Sequence, residues 1–141
     1  MSIKPEVIFY RLKSAHTYEP NELPYPDTGE RRWVLNKGRG WPRILPDGSY
    51  IYTVTPDGEV RFSEHPRPTS QMHHPELVHG KEVIAAGMMN IQHNIIVAID
   101  NESGHYAPDE DSVLLALLAL RLWNAPISND LRLDTRWSHF A

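Results

Sequence analysis

The chain has 141 residues, with 14 lysines and arginines against 18 aspartates and glutamates (net −4) and an apolar fraction of 40%, the profile of one folded domain. That acidic balance argues against a general binder of nucleic acid or anionic membrane, since both need a positive field. The absence of cysteine excludes disulfides, thiolate zinc sites, iron–sulfur clusters and thiol nucleophiles.

Met1 to Arg11 reads as a short apolar run broken by Lys4, Glu6 and Arg11, unlike a signal peptide. The longest apolar run, Val113 to Leu120, is eight residues, far short of a membrane span. The expectation is a soluble, cytoplasmic chain with no membrane partner, signal-less export being left open. Six of the twelve prolines precede Gly48. Proline fixes φ and withholds a donor, so residues 1–48 are expected as an arm of strand and loop. Within it Val7 to Tyr10 reads as a short strand and His16 to Glu30 as a loop.

The centre is β. Ser49 to Thr55 alternates, Pro56-Asp57-Gly58 is turn chemistry, and Glu59 to Glu64 resumes the alternation, which predicts a hairpin. Glu82 to Ile91 and Asn94 to Asn101 form a second pair of runs around a Gln92-His93-Asn94 turn. Ile95 to Ile99 is apolar at every position and predicts a strand covered on both faces. Pro108 and the acidic Asp109-Glu110-Asp111 then suit a helix start, with Val113 to Trp123 as the helix. Its spacing predicts Leu114, Leu117, Leu118 and Leu122 as the buried face, although Leu115 and Leu120 make the other side apolar too. A helix greasy all round is either deeply buried or part of an oligomer contact, so a homodimer enters as one outcome. Asp130 to Trp137 alternates as a half-buried final strand. The fold class expected is α+β, an antiparallel sheet of two or more hairpins with one principal C-terminal helix. It forms a single domain, 1–141, whose core spans 49–123 and whose last strand lies in 124–141.

Eight histidines invite a metal reading, five of them between His65 and His93. Adjacent residues of an extended chain point to opposite faces, so His73 and His74 are poorly placed to share an ion. No HExxH pair or calcium loop is present, and neither metal nor cofactor is expected. There is no GxSxG, no SxxK and no phosphate-cradling glycine loop. The run Asp100 to Tyr106 carries an acid, a hydroxyl, an imidazole and a phenol where a buried strand ends and a helix is about to start. Such a corner can hold a proton-transfer site, or can use the same groups as structural ties.

The runs His74 to Gly87 (HPELVHGKEVIAAG) and Asn101 to Pro108 (NESGHYAP) resemble the C-terminal module of plant IQ-motif-containing proteins. A similar module is read in bacterial toxin- or effector-like proteins. The resemblance spans about residues 49–111. His74 falls on the family histidine, Gly80 on a loop glycine, Ala85-Ala86-Gly87 on the AAG, and Ser103, Gly104, His105, Tyr106 and Pro108 on the SGHYxP signature. Pro75 and Glu76 stand where the family often has serines, so a serine nucleophile does not carry over; with no IQ motif in the chain, neither does calmodulin. The resemblance points to the fold unit and its site residues; the first functional reading is a binding module for a protein or small-molecule ligand, with Ser103, Gly104 and Gly80 as contacts in a His/Tyr pocket. The alternative is an effector-type enzyme with His105 as general acid or base and His74, Glu102 and Tyr106 beside it.

Overall fold

The computed structural model describes residues 31–65, 74–103, 106, 108 and 111–134. The expected strand at Val7 to Tyr10, the loop at His16 to Glu30, and Gly104 and His105 lie outside them.

Arg32–Leu35 is an edge strand, β1, that the sequence reading had folded into the arm. β2 (Gly48–Val54) and β3 (Val60–Glu64) are the first hairpin, with Tyr52 opposite Phe62. Gly58 closes its turn at φ 89°, donating to the Thr55 carbonyl at 2.9 Å. That left-handed step is one glycine takes without steric penalty. After a one-turn helix, α1 (His74–Leu77), come β4 (Ala85–Gln92) and β5 (Ile95–Asp100). Their two-residue turn holds His93 at φ 51° and Asn94 at φ 65°, the primed geometry that matches strand twist. The Asn94 side chain accepts from the Leu45 amide at 2.8 Å and donates to the Pro42 carbonyl at 3.1 Å, pinning the segment before β2.

The sheet has six strands in the order β1-β3-β2-β4-β5-β6. All neighbours are antiparallel except β5 and β6 (Ile127–Asp134), which run parallel. The exception follows from the helix α2 (Asp111–Leu122) between them: a helical crossover carries the chain back before the next strand starts. The last strand therefore begins three residues earlier than its alternation suggested, and Leu133 is half-exposed. The α+β class stands, with a mostly antiparallel sheet and one principal helix packed on it.

Two faces result. One carries Leu35, Tyr50, Tyr52, Phe62, Met89, Ile91, Ile96 and Ile99 against α2. Trp33 and Trp41 each stack on Phe62 at 5.5 Å between centroids. The other carries Ile51, Ala86 and Met88 beneath Leu77, Val78, Val83 and Tyr106.

Two core expectations are corrected. The face of α2 on the sheet is Ser112, Val113, Leu115, Ala116, Ala119 and Leu120; Leu114 is 61% exposed, and Leu117, Leu118 and Leu122 are half-buried. Where a helix is apolar all round, periodicity does not choose the inner side. Ala116 and Ala119 allow close approach to the sheet, so the small residues face inward. β5 is likewise not covered on both faces, with Ile95 39% exposed and Val97 and Ala98 half-buried. Asn124 ends α2 at φ 60°, with Ala125 donating to the Leu120 carbonyl at 2.9 Å and Asn124 to that of Arg121 at 3.0 Å. This is a left-handed helix cap, and Pro126 follows it.

Candidate functional site

The corner between β5 and α2 is built around Gly87. A Cβ there would meet the Asp100 carbonyl oxygen at 2.0 Å and the Asn101 Cα at 3.0 Å. Glycine inside a strand often marks a close backbone approach, and here it lets the end of β5 cross β4. Tyr52, the register partner of Gly87, donates its hydroxyl to that same Asp100 carbonyl at 2.6 Å. The Asp100 carboxylate turns the other way, and its Oδ1 accepts from the amides of Met88 and Glu102, both at 2.8 Å. One residue thus ties β2, β4 and the outgoing loop.

Burial lifts the Asp100 carboxyl above the ordinary carboxylate range. The two amide hydrogen bonds oppose that rise, and the negative charges of Glu102 and Asp134 add to it. Burial, then the nearby Asp100 charge, push the Tyr52 phenol well above its ordinary value, so it stays a donor.

Of the groups singled out from sequence, Tyr106 packs with Leu77, Val78, Val83 and Met88, on the face opposite Tyr52. His74 is 6% exposed and its Nε2 donates to the Gly87 carbonyl at 2.8 Å, which fixes the proton on that nitrogen. Ser103 is 1% exposed, its hydroxyl accepting from the Tyr106 amide at 3.3 Å. Tyr106 is buried and donates its hydroxyl to the Lys81 carbonyl at 2.7 Å. Glu102 is half-buried. Gly80 takes φ 74° after His79 at φ 54°, and Lys81 donates to the Val78 carbonyl at 3.1 Å, so the loop glycine serves a tight turn. His74 and the Asp100–Tyr106 corner are therefore joined through Gly87.

Two recesses flank this frame. One of about 150 Å³ is lined by Ser49, Met88, Asn90, Asp100, Arg132 and Asp134. The other, of about 410 Å³, lies between the β2–β3 turn and the Gly80 loop, with Asp57, Arg61, His79 and Lys81 on its walls. Among the described residues no three His, Asp or Glu side chains gather as a metal site. Sequence reading missed Asp100 as an anchor, Tyr52 as its tie, and Asn90, Arg132 and Asp134 as lining. A polar residue closing the run Ile95 to Ile99, and a glycine within an apolar strand, were the available signals.

Among the described residues no helix is long and apolar enough to cross a membrane. No curated protein and no solved structure matches the chain. A family model does, that of the IQ motif-containing protein middle domain, over residues 42–113. The match covers both hairpins, α1, the Gly87 crossing and the corner, and stops at the start of α2. It places the resemblance in a middle rather than a C-terminal module. With just over half of its length matched, the chain belongs to the IQ motif-containing protein middle-domain family.

Proposed function

We propose that this domain is a binding module and that its ligand is a protonated amine or guanidinium, carried by a partner protein or a small molecule. What carries the reading is Asp100. Its carboxylate is held by two backbone amides at the edge of a recess, and the charges acting on it, Glu102 and Asp134, are both negative. A cation entering there pairs with the Asp100 carboxylate and shares it with Arg132, the recess's own guanidinium, while Ser49 and Asn90 supply polar lining for its remaining N–H groups. His74, Ser103 and Tyr106 are the frame beside this site, their polar groups engaged with the main chain of Gly87, Tyr106 and Lys81. The same engagement favours binding over acid–base chemistry at these side chains. Gly104 and His105 enter the proposal only as sequence neighbours of Ser103 and Tyr106.

The test is a titration of the isotope-labelled chain followed through the Met88 and Glu102 amides, which report directly on Asp100. Agmatine and an arginine-containing peptide serve as probes, so that small-molecule and protein sources are separated. Both amides should shift on addition of a probe, and Asp100→Asn should abolish the response. Amides that stay still, or shift equally in the variant, overturn the proposal. Protonation of Asp100 removes the attraction, so affinity should fall as pH drops through its raised titration range.

A further inference from the structure

The side of α2 turned away from the sheet has an order of its own. Asp111 and Arg121 are exposed, Leu114 is 61% exposed, and Leu118 is half-buried, part of its surface packed against the domain's own core. At separations of three, four and three residues, Asp111, Leu114, Leu118 and Arg121 run as one stripe along the outer face of the helix. We propose that this stripe is the contact between two copies of this chain, packed as an antiparallel pair of α2 helices.

The charge pattern selects a second copy. The acid stands at the start of the stripe and the base at its end, and the two leucines lie between them. The midpoint of Asp111 and Arg121 is also the midpoint of Leu114 and Leu118, so one two-fold axis serves both pairs. About that axis Leu114 meets Leu118 of the second copy, and Asp111 meets Arg121 of the second copy at both ends. A parallel pair would instead set acid against acid, and antiparallel helices also oppose their dipoles favourably. Two leucines a side on a helix of twelve residues make a small contact, below the standard size for stable complexes. The association is therefore weak and appears only at high protein concentration.

Sedimentation velocity over about a hundredfold range of concentration reads the association. Mass should rise toward the dimer at the upper end. Asp111→Arg or Arg121→Asp alone should suppress the rise, and the two together should restore it. Because the chain has no cysteine, disulfide trapping gives a clean second reading. Under mild oxidation a mixture of Leu114→Cys and Leu118→Cys chains should cross-link, whereas neither variant alone should link to itself. A chain that stays monomeric at every concentration, with the leucines covered by its own residues 135–141 or reserved for another protein, overturns the proposal. So does Leu114→Cys linking to itself as readily as to Leu118→Cys.

Discussion

Replacing Gly87 by alanine tests the architecture of the corner at one atom. The added Cβ would lie 2.0 Å from the Asp100 carbonyl oxygen and 2.8 Å from its carbonyl carbon. Both are backbone atoms, so no side-chain rotation relieves the overlap, and the end of β5 must move. Overpacking of this kind costs about 1–3 kcal/mol. The movement also disturbs the hydrogen bonds from Tyr52 to the Asp100 carbonyl and from Met88 and Glu102 to its carboxylate. Each is worth roughly 0.5–1.5 kcal/mol, and more where a buried partner is left unpaired. Lower backbone entropy of the unfolded chain returns only about 0.4–1 kcal/mol. The expected net loss is about 2–5 kcal/mol, a large fraction of a typical domain's stability. Urea unfolding followed by tryptophan fluorescence measures it. Gly40→Ala is the control, since a Cβ there meets nothing within 4 Å, and its effect should stay within about 0.5 kcal/mol. If Gly87→Ala were as mild as the control, the crossing of β5 over β4 would not be the close contact described.

Leu120→Ala, at a fully buried site against the sheet, should lose about 2–5 kcal/mol, while Leu114→Ala should change stability by less than about 0.5 kcal/mol in dilute solution. The reverse order in denaturant titrations would restore the leucine face that sequence spacing suggested. His74→Ala should lose roughly 1–3 kcal/mol by leaving the Gly87 carbonyl without its imidazole donor; an unchanged midpoint would show that solvent replaces it. Asp100 has a folded-state pKa above its unfolded value, so the folded chain holds the proton more tightly, and its contribution to stability falls as pH rises from about pH 4 through the raised value. Asp100→Asn keeps an acceptor for the two amides and should flatten that part of the stability–pH profile. An undiminished slope in the variant assigns the slope to other groups.

The sequence by itself determined the elements whose signals are local. Alternation in Ser49 to Glu64 with a proline-aspartate-glycine turn, and two apolar runs around His93-Asn94, specify the hairpins because strand faces and turn dihedrals depend on near neighbours. Helix start chemistry at Asp111 likewise marks α2. Tertiary structure decided what those local signals leave degenerate. A helix apolar on every side has no preferred inner face until Ala116 and Ala119 meet the sheet, and that contact sends Leu114 outward. The parallel pairing of β6 depends on where the crossover helix returns the chain, which alternation does not encode. The Asp100 carbonyl meets the Tyr52 hydroxyl, 48 residues away in the chain, where Gly87 leaves room for the Asp100 backbone, and burial there raises the Asp100 pKa. Close approach between residues far apart in the chain is a property of packing, and no spacing within either segment contains it.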